Sequence, residues 1–416
     1  MQVLIPDRDY RVPSACGIAG IMRESGERFS GAAIVQAMAV LRERTNGLGG
    51  GFAGYGIYPE LKDYYAFHVI YDDASAQEAM EDYLGRHFTI VHSEPIPTKS
   101  HPQIGPAPLL WRYFVQVGPE KLEAGQTEED YVASRVLAVN ASRRGGLIVS
   151  SGKNMGIFKG VGYPEDIAAF YRLDEYQGYT WTGHGRFPTN SVAWWGGAHP
   201  FGLLDWSLVH NGEISSYGAN RRFLESYGYR CAFSTDSEVM TYLFDLLVRK
   251  QRLTLEEVAC IMAPPFWEEI QRMPAKPREL FTKLRIIYGG ALANGPFAII
   301  IANSRHMVGL NDRIKLRPLV CGRSGDLLVI ASEEAAIRAV CPNPEVVWAP
   351  AGGEPAIGTL QGAMEPAQAK AGGKPGTLAA TSATLAAASP VTASLWDLPG
   401  PDQPAGRAEE RGELHG

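Results

Sequence analysis

Apolar and polar positions alternate along the start of the chain in patterns that predict short strands and amphipathic helices. The run GIAGIM directly after Cys16 is typical of a short buried strand. Ser30 is a suitable N-cap for a following helix, in which Ile34, Met38 and Leu41 share one face at positions i, i+4 and i+7. This stretch therefore predicts a strand followed by a helix.

The same mixture of elements continues to the middle of the chain. A glycine-rich loop runs into a strand in NGLGGGFAGYGIY, and DYYAFHVIYDD predicts another strand. A helix is predicted from Ser75 to Leu84, where Ser75 and Glu78 have the spacing of a capping box, and another helix follows a cap at Thr127. Further strands are predicted in GGLIVSS, in GYTWTGHG before the loop RFPTN, and in WSLVHNGEI, which ends in a turn.

In the second half of the chain, predicted helices are followed by a group of consecutive predicted strands. A helix is predicted from Ser216 to Tyr227, ended by Gly228, and Thr235 with Glu238 predicts a capping box on the next helix. Four consecutive strands are predicted in GPFAIIIAN, HMVGL, PLVCG and LLVIAS, followed by a closing helix in SEEAAIRAV. Groups of strands separated by helices favour a layered α+β fold with sheets inside and helices outside.

The character of the sequence changes beyond about residue 352. The stretch AGGKPGTLAATSATLAAASPVTASLW is rich in Ala, Gly, Pro, Thr and Ser and has almost no aromatic residues. Such a composition buries too little apolar surface to offset its ordering entropy. We therefore expect residues 352–416 to form a low-complexity, disordered tail.

Charge and cysteine content narrow the possible classes of protein. The 416 residues carry a formal net charge of -6, which argues against sequence-independent nucleic-acid binding. No run of about 18 apolar residues is present, so a membrane span is not expected. Five widely spaced cysteines form neither a CxxC zinc pattern nor a disulfide framework. We expect a cytoplasmic protein from a reducing compartment.

Cys16 stands out because only fifteen residues precede it. If this leader is removed as a propeptide, Cys16 gains a free α-amine with an ordinary pKa of about 7.7–8.0, which could accept the thiol proton near neutral pH. A buried cysteine at the start of a strand is the structural alternative. A lipoprotein signal fits poorly, because charged residues interrupt the leader where an apolar region is needed and Pro13 stands where an aliphatic residue is usual.

Three further stretches carry groups that could act on one substrate. Arg186 in HGRFPTNS could clamp a carboxylate, although a surface ion pair would also explain it. Asn211 and Gly212 in VHNGEISSY could form an oxyanion hole, but Asn-Gly is also a strong hairpin signal. Asp236 in STDSEV could receive an ammonium group, or simply favour a helix start. A thiolate, an oxyanion hole and clamps for both α-groups would together suit glutamine or asparagine.

Two other patterns in the sequence suggest different chemistry. His184 lies near Arg186 and could pair with Cys16 as in papain-like enzymes, which would need no leader removal. Gly49, Gly51 and Gly54 match GxGxxG, but the match follows a helix and leads into a strand, the reverse of a dinucleotide site. We therefore expect no nucleotide binding there.

The motifs CGIAGI, GRFPTN, AHPF, VHNGEI and TDSE, in this order, resemble those of the class II glutamine amidotransferases of the Ntn-hydrolase superfamily. The later GLNDRIKLRPL and ASEEAAI are similar to that family's C-terminal half, so the resemblance covers roughly residues 14–350. It implies a four-layer αββα sandwich with Cys16, Asn211 and Gly212 as catalytic residues and Arg186 and Asp236 binding glutamine. It also implies that Thr189 and Asn190 line the glutamine pocket.

The leader and the 170 positions between Cys16 and Arg186 are similar to the amidotransferase domain of glutamate synthase. The chain resembles the stand-alone amidotransferase subunit of split, archaeal-type glutamate synthases. This implies L-glutamine as substrate, no cofactor in this chain, and a separate synthase subunit that carries FMN and iron–sulfur clusters and receives the ammonia. An N-methylglutamate synthase subunit and a non-catalytic scaffold or regulatory pseudo-amidotransferase are the alternatives. We expect a propeptide at 1–15, the amidotransferase domain at 16–351 and the tail at 352–416.

Overall fold

The structure, a computed structural model, describes residues 15–142, 144–187 and 193–362. These residues form strands β1 (Gly17–Arg23), β2 (Phe29–Ser30), β3 (Gly50–Tyr55), β4 (Tyr65–Tyr71), β5 (Thr89–Pro95), β6 (Leu109–Gln116), β7 (Gly146–Ser150), β8 (Met155–Gly160), β9 (Gln177–Gly178), β10 (Thr180–Gly185), β11 (Phe201–Leu203), β12 (Trp206–Gly212), β13 (Phe297–Ala302), β14 (His306–Asn311), β15 (Val320–Ser324), β16 (Leu327–Ala331), β17 (Val346–Trp348) and β18 (Ala356–Thr359). The helices are α1 (Ala32–Ala39), α2 (Ala74–His87), α3 (Glu128–Ser142), α4 (Pro164–Phe170), α5 (Tyr217–Glu225), α6 (Asp236–Phe244), α7 (Leu255–Met262), α8 (Trp267–Arg272), α9 (Ala275–Ile287) and α10 (Glu334–Val340).

Two antiparallel sheets form the centre of the fold. The larger has the strand order β17-β15-β16-β1-β10-β3-β8, and the smaller has the order β11-β12-β13-β14-β18. Apolar side chains from both sheets fill the space between them, including Ile18 and Ile330 from the larger and Val209, Ile300 and Met307 from the smaller. The close approach of the two sheets explains Gly20, where a Cβ atom would lie 2.7 Å from the Met307 sulfur.

Helices cover the outer faces of both sheets. Ile34 and Met38 of α1 and Ile337 of α10 pack against the larger sheet. Leu224 of α5 and Leu243 of α6 belong to the core on the outer side of the smaller sheet. The predicted four-layer αββα arrangement is therefore confirmed. Within the part of the chain that the structure describes, no helix is long and apolar enough to cross a membrane.

A third sheet belongs to a unit inserted between the neighbouring strands β3 and β8. Its elements follow the order β4-α2-β5-β6-α3-β7, and its strands pair antiparallel in the order β5-β6-β4-β7. This is the topology of a ferredoxin-like, split β-α-β unit. Because it occupies residues 65–150, it accounts for much of the sequence between Cys16 and Arg186.

The structure corrects three local predictions. The cap of α2 is Asp73, which accepts from the Ala76 N–H at 2.8 Å, and not Ser75. Thr235 does cap α6, but the Glu238 carboxylate accepts from two N–H groups upstream of Thr235 and completes no capping box. The predicted domain boundary after residue 351 is too early, because β18 adds to the edge of the smaller sheet beside β14. The predicted tail from residue 363 onward lies outside the described residues.

Candidate active site

Cys16 lies directly before β1, where that strand meets the end of β10. Gly17 pairs with Gly185 across the two strands, so Cys16 faces the residues that follow β10. The backbone N–H of Phe187 donates to the Cys16 Sγ at 3.3 Å, and the Arg44 side chain donates to the Cys16 carbonyl at 3.4 Å. The thiol is therefore held against the segment that carries Arg186.

The electrostatic surroundings of the Cys16 thiol contain two opposing influences. Burial raises its pKa and is the larger influence. The hydrogen bond from the Phe187 N–H and the positive charge of Arg186 lower it, and the charge of Arg317 acts in the same direction. Since burial dominates, the thiol form prevails near neutral pH, and a base is needed to generate the nucleophilic thiolate.

Arg186 follows the last residue of β10 and is held in place by a glycine-rich loop. Its N–H donates to the Gly49 carbonyl at 2.8 Å, and its own carbonyl accepts from the Asn46 N–H at 3.2 Å. Gly49 has a φ of +149°, and a Cβ atom there would lie 3.2 Å from the Arg186 Cδ. Only glycine combines this conformation with space for the arginine side chain. Burial lowers the pKa of the guanidinium, which is 9% exposed.

Asn211 and Gly212 form the end of β12 and do not form the two-residue hairpin turn that an Asn-Gly pair can indicate. Asn211 pairs with Ala298 and Gly212 with Phe297 of β13. The Asn211 side chain is fully buried, and neither of its amide atoms has a hydrogen-bond partner among the described residues. Gly212 has a φ of +142°, and a Cβ atom there would lie 2.0 Å from the Pro296 carbonyl oxygen. An unpaired buried amide next to an obligatory glycine is unusual in a purely structural role.

Asp236 is the first residue of α6 and lies beside the segment that follows Gly212. Its carboxylate accepts from the Ile214 N–H at 2.9 Å and lies 3.6 Å from the His210 Nδ1. Burial opposes its ionisation, but His210 and the hydrogen bonds to the carboxylate outweigh this and lower its pKa to about 2. Asp236 therefore carries a negative charge at neutral pH, as a site for an ammonium group requires.

His184 does not serve as the base of a papain-like pair. Its Nε2 donates to the His210 carbonyl at 3.0 Å, and its ring stacks on His199 with 4.0 Å between ring centroids. Burial lowers its pKa to about 3, so it cannot hold a proton taken from a thiol at neutral pH. The bond to His210 instead joins β10 to β12, the two strands whose ends carry Arg186 and Asn211.

The structure thus brings five of the seven proposed site residues to one end of the two central sheets. Cys16 and Arg186 meet where β1 begins and β10 ends, and Asn211, Gly212 and Asp236 meet where β12 ends and α6 begins. Thr189 and Asn190 lie outside the described residues. Within the described ranges, no group of three or more His, Cys, Asp or Glu residues could hold a metal ion.

Sequence reasoning missed several residues that support the site. Gly49 was considered only as part of a rejected nucleotide motif, although it makes room for Arg186. Ser237 links the rings of His199 and His210 through its hydroxyl, at 2.7 and 3.1 Å. The position of Ser237 directly after Asp236 was the available signal, but a polar residue in a first helical turn has many roles.

Comparisons with known proteins indicate the family of this chain. The family model described as "Glutamine amidotransferases class-II" matches residues 100–347, more than half of the chain. An uncharacterised protein of Archaeoglobus fulgidus is 50% identical over 86% of this chain and 95% of its own length. A Methanothermobacter thermautotrophicus protein named "Putative glutamine amidotransferase" is 25% identical over 80% of this chain and 95% of its own length. The large chain of Azospirillum brasilense glutamate synthase [NADPH] is 28% identical over 43% of this chain and 13% of its own length.

Proposed function

Because the chain belongs to the class-II glutamine amidotransferases, we propose that it hydrolyses glutamine with Cys16 as an N-terminal nucleophile and passes the ammonia to a separate synthase subunit. The observation that carries this proposal is the hydrogen bond from the Phe187 N–H to the Cys16 Sγ. This bond keeps Cys16 next to Arg186, the arginine expected to hold the substrate carboxylate.

The proposed reaction begins when the α-amine of Cys16, freed by removal of the leader, takes the thiol proton. The thiolate then attacks the amide carbon of glutamine and forms a tetrahedral intermediate. The Asn211 amide and the Gly212 N–H donate to the oxyanion. As the carbon–nitrogen bond breaks, the α-ammonium returns its proton to the departing ammonia. Water attacks the resulting thioester with the amine again as base, which releases glutamate and restores the thiol.

Substrate selection in this proposal depends on the two α-groups of glutamine. The planar guanidinium of Arg186 would hold the α-carboxylate with two parallel hydrogen bonds. Asp236, whose low pKa keeps it ionised, would receive the α-ammonium. Thr189 and Asn190 would line the pocket between them, as the family resemblance implies.

We propose glutamate synthase as the most suitable assembly for this subunit. The leader, the spacing from Cys16 to Arg186 and the match to a glutamate synthase large chain support this assignment. The partner subunit would supply the FMN and iron–sulfur chemistry, and this chain would need no cofactor of its own.

The function is tested with the chain beginning at Cys16 and glutamine labelled with ¹⁵N at the amide. Release of glutamate and labelled ammonia, absent in Cys16→Ala, would support the glutaminase activity. Addition of a flavin-containing synthase subunit, 2-oxoglutarate and reductant should then place the label on newly formed glutamate. Label on a different acceptor would redirect the assignment to another synthase, such as N-methylglutamate synthase. No hydrolysis with or without the partner would favour the scaffold alternative.

Arg186→Lys should raise the KM for glutamine more than it lowers kcat. Lysine keeps the charge but cannot make two parallel hydrogen bonds to a carboxylate, and losing one charge-assisted bond costs roughly 1.5–3 kcal/mol. Steady-state kinetics of the purified variant measure this effect. Arg42→Lys is the control, because Arg42 is a half-exposed residue whose guanidinium pairs with Glu165. An unchanged KM in Arg186→Lys would exclude the carboxylate-binding role.

A further inference from the structure

Lys159 is a buried lysine that the proposed reaction does not use. It lies in β8, is 1% exposed, and donates from Nζ to the carbonyls of Gly196 and Pro200 at 2.9 and 3.2 Å. The ammonium also lies 4.5 Å from the centre of the Phe201 ring. Burial of an ammonium group costs free energy. The buried position of Lys159 therefore calls for a structural or functional reason.

Glu238 is a second buried charged residue in the same region. It lies in α6, is fully buried, and accepts from the N–H groups of Ala232 and Phe233 at 2.7 and 2.9 Å. The charge of Lys159 favours the ionised form of Glu238. Each of the two residues therefore ties a loop backbone to the core, and their charges attract each other.

The two segments held in this way are neighbours in sequence of the residues proposed to contact the α-groups of glutamine. The segment 193–200, held by Lys159, follows Arg186 in sequence after residues 188–192, which lie outside the described ranges. Residues 232–235, held by Glu238, lead directly into Asp236 at the start of α6. The two loops also touch, since the Trp194 and Phe233 rings stack with 6.1 Å between centroids.

Desolvation acts strongly on both charged groups. Burial lowers the pKa of Lys159 to about 7, and the charge of Glu238 opposes this change. Burial likewise raises the pKa of Glu238 to about 7, against the hydrogen bonds from Ala232 and Phe233 and the charge of Lys159. Buried charged groups are often no more stabilising than apolar residues of the same volume. A role in fixing the position of the two loops gives a physical reason for burying Lys159 and Glu238 against loop backbone.

We propose that Lys159 and Glu238 are positioning residues that hold the two glutamine-binding loops in register, so that the carboxylate and ammonium sites lie at the right separation. This inference rests on the proposed function. Neither residue contacts the reacting atoms in this proposal. Their loss should therefore weaken recognition of the α-groups and leave the nucleophile intact.

The test compares two reagents that both alkylate Cys16 in the mature chain. A diazoketone analogue of glutamine depends on both α-groups for binding, whereas iodoacetamide has neither group. In Lys159→Met we expect the second-order rate constant for the diazoketone to fall about tenfold or more, because a misplacement of about 1 Å can cost as much as 10²-fold. The KM for glutamine should rise in parallel, while the rate with iodoacetamide stays unchanged. Lys159→Arg, which keeps a charged donor, should restore part of the loss.

Lys153→Met is the matched control, because Lys153 is a partly exposed lysine six residues earlier that pairs with Glu128. It should behave like the parent chain with both reagents. If Lys159→Met fails to fold, Glu238→Gln is judged by the same criterion, since it removes the other charge and keeps the side-chain shape. Equal loss with both reagents, or no loss with either, would overturn the positioning role.

The outcome also separates this inference from the proposed function. A parent chain that neither hydrolyses glutamine nor reacts with the diazoketone would contradict the proposed function itself. A parent chain that does both, alongside variants that match it, would contradict only the role of Lys159 and Glu238.

Discussion

A chain that begins one residue before Cys16 is expected to hydrolyse glutamine about 10²–10⁴-fold more slowly than a chain that begins at Cys16, the usual contribution of a general base. The extra residue leaves the thiol in place but converts the α-amine of Cys16 into an amide, which cannot accept a proton. Burial raises the pKa of the Cys16 thiol, so little thiolate forms without a base. The hydrogen bond from the Phe187 N–H is too weak an influence to replace that base.

The comparison uses two chains that differ only in whether one residue precedes Cys16. In both chains a protease site replaces the leader. Cleavage leaves Cys16 as the first residue of one chain and a serine followed by Cys16 at the start of the other. Intact-mass measurement verifies both products. The single-turnover rate with saturating glutamine measures the effect, and thermal melts check that both chains are equally folded. Equal rates would exclude the α-amine as the base and require another group to activate the thiol.

The parts of the fold that could be predicted are those whose apolar pattern is unambiguous. The four strands β13 to β16 and the helix α10 follow each other closely, and each is a short apolar run between turn residues. The inserted unit was predicted only in part. Its edge strand β5 is mostly exposed and carries the polar sequence TIVHSEP, so neither an alternating nor a buried pattern identifies it.

Local signals failed where tertiary contacts outweighed them. Thr235 and Glu238 have the spacing of a capping box, but the Glu238 carboxylate accepts from Ala232 and Phe233 instead. Asn211 and Gly212 have the sequence of a tight turn, but pairing with β13 keeps them in a strand. β18 lies in the part predicted as a tail from the composition beyond residue 352, and its pairing with β14 makes it a strand.

The residues of the candidate site give a different kind of sequence signal from the fold around them. Cys16, Arg186 and Asp236 carry chemistry that depends on residue type, and the order of their motifs can be read without coordinates. Residues that act through backbone contacts leave no such signal. Lys159 is one lysine among many in the sequence, and only the structure shows that it is buried against two carbonyls.

Asn211→Ala is expected to lower kcat by about 10²–10³-fold, or roughly 2.7–4 kcal/mol, while the KM for glutamine changes little. A donor directed at the developing oxyanion acts mainly in the transition state, so its loss affects turnover more than binding. Because the Asn211 amide is buried without a partner among the described residues, its removal leaves no other group unpaired. The melting temperature should therefore stay the same or rise, since removal of an unsatisfied polar group is not costly.

Asn311→Ala provides the matched control for this substitution. Asn311 is also fully buried, also lacks a partner for either amide atom within the described ranges, and pairs with the same Ala298 from the opposite side. It differs from Asn211 in lying two strands away from the Gly212 N–H. We expect Asn311→Ala to share the unchanged stability but to keep its kcat. A normal kcat in Asn211→Ala would contradict the oxyanion role. An equal loss of kcat in both variants would also contradict it, because the loss would then not depend on the distance from the Gly212 N–H.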